Sequence, residues 1–442
     1  MQHAQAISRV VDLLGPSGNV LHGMTDDQAR ALLARGNPDE VCTIRGHFAL
    51  WAQDGSTIRL ARTIGRLMRY FIAKQADGPI LILSDRIDTI HAWLAERGMD
   101  DQFHPSYTRM VPAHYVVEIR LVGCPDPNPV YRRFVAAHDE PLPADLDVIG
   151  ERYIGAALDE IVRSLSRIGP AEPVGVSFSG GIDSGAIFLL TYHAMLKLGL
   201  SPSRLKAFTL SVDGGGEDVA QAREFLQRLG LELFHETIDA ARRDIDPAGA
   251  IRVIEDYKPL DVEAAAVNIA LLRGIRGRYP DWRHLFDGDG GDENLKDYPI
   301  EDNPELTIRS VVNNPMLYQE GWGVESIKHS LTYSGGQSRG YARTYAPAAR
   351  LDFCTVSPLA APAVVACAAS IPFAELAGMD HERLYALKGE IVGRGVRRLT
   401  GLDMPIFAKR RFQHGAMSRD AFAAQFASRA GQYRRMFHAL YE

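Results

Sequence analysis

Two kinds of apolar pattern alternate along the chain, and the change between them divides it. Before about residue 140 the apolar runs are short and rich in β-branched or aromatic residues. Phe48–Trp51, Thr57–Ala61, Ile80–Leu83 and Tyr115–Ile119 read as strands, with helical spacing confined to 26–35 and 87–97. This predicts an α+β module with a substantial sheet. The polar, proline-bearing stretch Asp139–Asp145 reads as a connector, so the expected domains are 1–145 and 146–442. Beyond it, Tyr153, Ile154, Ala157, Leu158, Ile161, Val162 and Leu165 mark one face of a helix. Strands are then expected at 173–178, 205–212, 231–237 and 284–287, with helices at 184–198, 217–229 and 262–276 between them. That alternation predicts an α/β domain whose parallel sheet is covered by helices on both faces. Residues 294–345 are polar and weakly periodic, which suits either a lid or an exposed excursion. Helical pattern returns at 358–371 and from Ala421.

One junction in this pattern carries chemistry. Pro173–Phe178 runs as a short strand into Ser179-Gly-Gly-Ile-Asp-Ser184, after which Ala186, Ile187, Leu189, Leu190, His193 and Leu196 keep helical spacing. Ser179, Gly180 and Gly181 offer bare backbone N–H groups at a helix N-terminus, where unsatisfied donors and the dipole favour an anion. Asp183 opposes a phosphate unless a cation lies between them, so the turn implies nucleotide phosphates held with Mg2+. No Gly-Lys-Ser/Thr follows and no Gly-x-Gly-x-x-Gly is present, which excludes the Walker and dinucleotide loops. A second cluster, Leu285-Phe-Asp-Gly-Asp-Gly-Gly-Asp-Glu293, is expected at the carboxyl end of another strand, the edge where open α/β sheets bind ligands. Gly288, Gly290 and Gly291 permit close backbone approach. Asp287, Asp289, Asp292 and Glu293 crowd negative charge that a metal would relieve, although Asp and Gly are also common turn residues.

Composition then removes some classes. With 46% hydrophobic and 24% charged residues the chain is an ordinary globular protein. A net charge of −6 without a long basic run argues against a nucleic-acid partner. No apolar run is long enough for a bilayer and Met1-Gln-His-Ala-Gln5 lacks the features of a signal peptide, so a cytoplasmic protein without a membrane partner is expected. Cys42, Cys124, Cys354 and Cys367 are widely spaced and are expected to be buried, reduced thiols.

The first turn resembles the Ser-Gly-Gly-x-Asp-Ser loop of the ATP-pyrophosphatase superfamily. Together with Asp287–Glu293 it resembles the synthetase domain of the asparagine synthetase and β-lactam synthetase family, over most of residues 150–415. The resemblance implies an adenine nucleotide α-hydrolase-like domain, in which this loop holds the pyrophosphate end of ATP while an oxygen nucleophile attacks the α-phosphate. It implies Ser179, Gly180, Gly181, Ser184 and Gly288 at the nucleotide, and Asp183 and Asp292 as Mg2+ ligands. Asp289 takes the position associated with deprotonating the attacking nitrogen, where the family has glutamate or tyrosine; its reach is about one methylene shorter than glutamate's. Glu217-Asp-Val219, after the strand Ala207–Val212, resembles the family's Pro-Asp-Leu segment near the ribose, which implies Ser211 and Asp218 beside the nucleotide. Glu255 to Val262 resembles its Glu-x-x-Asp-Val stretch. Lys409-Arg-Arg-Phe-Gln-His-Gly415 resembles its Arg-Pro-Lys-x-x-Phe-x-x-Gly segment, which implies Lys409 as the lysine that neutralises departing pyrophosphate and Lys388 as a second cation.

The first domain resembles a class II glutamine amidotransferase that has lost its reaction. Arg45–Trp51, Leu60–Gly65 and Met110–Tyr115 resemble segments of that fold, whereas Gln2 stands where glutamine-dependent members carry a cysteine nucleophile. A supporting role for the synthetase cleft is expected, as in β-lactam and carbapenam synthetases. The resemblance therefore implies an ATP-dependent, AMP-forming ligase that joins a small-molecule carboxylate to an amine or ammonia without hydrolysing glutamine. Specialised metabolite biosynthesis, by β-lactam-type closure or intermolecular amidation, is the expected setting, and a homodimer is compatible with it. Sulfur transfer from the same adenylate, and a non-catalytic ATP-binding regulator or scaffold, are the alternatives.

Overall fold

The computed structural model describes residues 7, 9–15, 18–76, 78–120, 129–138, 140–321, 340–407, 415–427 and 430–442. The first part of the chain builds two four-stranded sheets. One has the order Arg9–Asp12, Ile80–Ser84, Arg69–Ala73, Arg109–Met110, and the other, antiparallel, the order Val130–Arg133, Tyr115–Ile119, Thr57–Arg62, Ala49–Asp54. Ile58, Leu60, Val117 and Ile119 point between the sheets and meet Leu81 and Leu83. Leu50, Ala61 and Val116 point outward, where Ala29 and Leu33 of the helix Asp26–Arg35 cover them. On the opposite outer face, Ile90, Trp93 and Leu94 of the helix Ile87–Ala95 lie on Phe71, Ile80 and Ile82. Both faces of each sheet are thus covered, which is why Ile80–Ser84 is buried at every position and its first four residues read as an unbroken apolar run.

The second part is α/β. Its five strands are all parallel, in the order His235–Ala240, Leu205–Val212, Val174–Ser177, His284–Phe286, Cys354–Val356. Helices Leu146–Leu165, Ile182–Lys197 and His381–Thr400 pack one face through Ile161, Ile187, Ile391 and their neighbours, and Pro247–Ile254 and Pro259–Arg278 pack the other. The strand expected at 231–237 begins only at His235, because Glu232–Phe234 wind into a 3-10 turn. The chain starts in the middle of this sheet, builds one side, and returns to build the other. Val174–Ser177 and His284–Phe286 are therefore neighbours at the point where strand order reverses, and the turns that follow them open into one crevice.

Helix His381–Thr400 crosses Leu146–Leu165 at two glycines. A Cβ on Gly395 would lie 2.3 Å from the carbonyl oxygen of Gly150, and one on Gly150 would lie 2.6 Å from that of Ile391. This close approach sets the position of Lys388, two turns earlier on the same helix. The described parts of 294–345 are anchored by buried Asn294, Lys296, Ile300, Val311 and Tyr345, while Glu301–Glu305 is an exposed run between them. Cys367 is buried and Cys42 half-buried, but Cys354 is exposed because it starts the edge strand, against the expectation of burial; Cys124 lies outside the described residues.

Buried ion pairs join the two parts. Arg69 Nη1 lies 2.5 Å from Glu255 Oε2, and Arg62 pairs with Glu320. Glu255 also accepts hydrogen bonds from the backbone N–H groups of Ile87 and Asp88, both at 2.9 Å, and so caps the helix Ile87–Ala95 from the other domain. Among the described residues no helix is long and apolar enough to cross a membrane.

Candidate active site

The turn after Val174–Ser177 is braced by its own hydroxyls. Ser179 N–H donates to Ser184 Oγ at 3.3 Å, the two serine oxygens are 3.2 Å apart, and Gly181 N–H donates to Ser179 Oγ at 3.3 Å. Gly180 has φ 73°, and a Cβ there would lie 2.9 Å from the backbone of Ala222, so both conformation and space demand glycine. Helix Ile182–Lys197 follows with Asp183 in its first turn and no side-chain cap on its N-terminal donors.

The acidic turn packs directly onto this one. A Cβ on Gly288 would stand 2.7 Å from Asp183 Cβ, and one on Gly291 would stand 2.2 Å from Asp183 Oδ1. Asp287 accepts Asp289 N–H at 2.9 Å and Thr355 Oγ1–H at 3.3 Å, and burial pushes its carboxyl up to about 6. Burial, then the nearby Glu293 carboxylate, raise Asp289 well above the usual carboxylate range. A carboxyl tuned upward in this way is suited to take a proton from nitrogen.

Lys388 is where the carboxylates converge. Its Nζ lies 2.6 Å from Asp183 Oδ2 and 3.2 Å from Asp297 Oδ2, and it also donates to Asp292. Burial opposes the lysine charge, but Asp183, Asp292 and Asp297 outweigh it and hold the pKa well above the usual lysine value. Burial lifts Asp183 to about 6 while Lys388 restrains it, so the pair is charged at neutral pH. Asp183 Oδ1 is buried and has no hydrogen-bond partner among the described residues, which leaves one carboxylate oxygen for a cation. Among the described residues no group of three or more His, Cys, Asp or Glu side chains is arranged to hold a metal. Asp183 and Asp292 fit Mg2+ as hard oxygen donors, and such an ion would draw its other ligands from phosphate and water.

The two turns line a cavity of about 340 Å3 that brings together Ser179, Gly181, Asp183, Ser184, Asp218, Gly288, Asp289, Asp292 and Lys388. Asp183, Asp218, Asp287, Asp289, Asp292 and Asp297 face only Arg343 and Lys388 among the described lining residues. A polyanion enters such a cavity only with cations beside it. Gly180 lies behind the wall against Ala222, and Ser211 is buried in its strand and does not line the cavity. Lys409 lies outside the described residues; before it Phe407 lines the cavity, and after it Gly415 packs against Asp218. None of the described cysteines lines it.

Three lining or supporting residues escaped the sequence reading. Asp297 follows the acidic turn and shares Lys388. Arg343 Nε lies 3.2 Å from Asp261 Oδ1 and its Nη1 3.8 Å from Glu293 Oε1, while Tyr298 Oη–H donates to Glu293 at 2.5 Å. Arg343 rides on a single π-turn, Tyr341–Tyr345, and nothing local in the sequence marks it. Asp261 did lie within the family-like stretch ending at Val262.

The parallel sheet, with a glycine-rich turn and an acidic turn meeting at its switch point, has the architecture of an ATP-pyrophosphatase-like domain. Residues 155–372 match the family model described as Asparagine synthase. This segment is an asparagine synthetase-like domain, of a family of ATP-dependent amidotransferases and carbon–nitrogen ligases. The match contains both turns and ends before Lys388 and Lys409. No curated protein matches the chain.

Proposed function

We propose that the cavity forms an amide bond by way of an acyl-adenylate and releases AMP and pyrophosphate. The observation that carries this reading is the meeting of an anion-accepting turn with six aspartates in one cavity, beside a buried Asp183 oxygen without a partner. Mg2+ bound by Asp183 and Asp292 would supply charge neutralisation and orientation of the triphosphate. Ser179, Gly181 and Ser184 bind the β- and γ-phosphates, and Asp218 stands on the ribose side. A substrate carboxylate oxygen attacks the α-phosphorus as the bond to the pyrophosphate oxygen breaks. Lys409 is the residue proposed to take up charge on the leaving pyrophosphate. Lys388, whose ammonium is shared by three aspartates, positions Asp183 and Asp292 rather than meeting the phosphates. The amine nitrogen then attacks the acyl carbon, its proton passes to Asp289, and AMP leaves with the electrons of the acyl C–O bond.

The nitrogen is proposed to come from an amine or ammonia rather than from glutamine hydrolysed in the first domain, whose proposed role is to support the cleft. Incubation with glutamine and ATP is expected to yield no glutamate, and glutamate formation would contradict this. A specialised biosynthetic amide, closed within one molecule or formed between two, fits this nitrogen source. A carboxylate substrate labelled with oxygen-18 tests the adenylate: one labelled oxygen is expected in AMP. Formation of ADP, or AMP free of label, would overturn the reading.

A further inference from the structure

A second cavity, of about 180 Å3, opens where the two domains meet and shares Asp289 with the first. Its acidic end is formed by Asp289 and Glu293, and its apolar walls by Ile64 of the first domain and Leu317, Ala360 and Val365 of the second. Glu320 also faces it, but the buried Arg62 neutralises that carboxylate. Arg343 is divided between Asp261 and Glu293, so among the described residues around this end the three carboxylates Asp261, Asp289 and Glu293 outnumber Arg343 and the lining Lys258. The Asp289 carboxylate accepts no hydrogen bond from a described residue; only its backbone N–H is engaged, with Asp287.

We infer that this cavity takes the nitrogen nucleophile as a small primary amine without a carboxylate of its own, bound as the ammonium, which passes one proton to Glu293 to free the nitrogen lone pair before attack and the second to Asp289 as the amide forms. The ammonium lies at Asp289 and Glu293, and the apolar body lies along Ile64, Leu317, Ala360 and Val365. This rests on the ligase reading and narrows its nucleophile. An amino-acid carboxylate in the same place would lie beside Asp289 and Glu293, with Lys258 as the one cation among the described lining residues, and is disfavoured there. Ammonia alone leaves the apolar walls without contacts, since the volume is far above the roughly 10–15 Å3 that one water-sized molecule requires. The first domain, on this account, is a wall of the nucleophile site: Ile64 touches the cavity, and Arg62 sets the charge of Glu320.

Ligand-observed fluorine NMR on the full chain tests this with three probes of one shape: fluoropropylammonium, fluoropropanol and fluoropropanoate. The ammonium is expected to bind at least about tenfold more tightly than the alcohol, and the carboxylate to show no binding. Ile64→Trp, which fills the cavity, and Asp289→Asn, which keeps its shape, are each expected to weaken the ammonium about tenfold or more. ATP binding by wild type and Ile64→Trp, followed by phosphorus NMR in the same samples, is expected to be equal. Equal binding of the alcohol or carboxylate, or ammonium binding that neither variant weakens, overturns the inference. Failure of ATP to bind the wild type overturns the ligase reading instead.

Discussion

Lys388 holds together three aspartates that reach it from different places in the sequence, and its loss leaves Asp183, Asp292 and Asp297 facing one another under burial. Lys388→Met keeps an unbranched side chain one atom shorter and removes the ammonium, both its charge and its hydrogen-bond donors. Urea unfolding is expected to show about 3–5 kcal/mol less stability, the cost of breaking a buried ion pair from one side; a loss below about 1 kcal/mol would contradict the positioning role assigned to it. His114 is buried and neutral. Burial, then Arg133 and Arg62, push its pKa down to about 3. The folded value is below the unfolded one of about 6.5, so its contribution to stability is whole above that pH and is lost as pH falls toward 3. The loss reaches about 1.4 kcal/mol per pH unit. His114 has φ 65°, a conformation Asn accepts, so His114→Asn is expected to flatten the fall of the urea midpoint between pH 7 and pH 5. Which site residues were legible follows from the same chemistry. Asp183, Asp289 and Asp292 announce themselves through glycines beside acids within a few positions. Asp297 and Arg343 have ordinary local surroundings and become part of the site only through partners brought together by the fold.

At the scale of elements, strands buried on both faces and helices with one clean apolar stripe were readable, and elements with mixed demands were not. Arg69–Ala73 begins with a buried arginine committed to Glu255. His381–Thr400 has buried Leu384, Leu387, Ile391, Val392 and Val396 at helical spacing, but Gly389, Gly393 and Gly395 interrupt its propensity. At least one of those glycines is a packing requirement rather than a weakness. Gly395→Ala would drive a methyl into the Gly150 carbonyl, so a loss of about 1–3 kcal/mol is expected, along with lower ATP turnover as Lys388 shifts. Gly155 lies on the same partner helix with open space around it, and Gly155→Ala is expected to add about 0.5–1 kcal/mol. Thermal unfolding of the two variants checks the pair: changes of the same sign would contradict the crossing geometry. The 3-10 turn at Glu232–Phe234 shows the opposite failure, since its apolar residues look like strand while Leu233 is 74% exposed.

For the whole molecule, the first domain is tied to the second through charges that water does not reach. Glu255 accepts from Arg69 and from the start of the helix Ile87–Ala95, and Arg62 meets Glu320 at the wall of the smaller cavity. Glu255→Ala leaves Arg69 unpaired and is expected to cost about 3–5 kcal/mol and to split calorimetric unfolding into two transitions. A single unshifted transition would mean that the domains are not coupled there. In the larger cavity the glycine-rich turn, the aspartates and Lys388 are proposed as the machinery for attack at the α-phosphate. Phosphorus NMR of the products formed from ATP, with a panel of carboxylates and amines, tests it most directly. Wild type is expected to yield AMP and pyrophosphate, at a rate that Asp183→Asn lowers about a hundredfold or more; ADP and inorganic phosphate, or an Asp183→Asn variant as fast as wild type, would contradict the account.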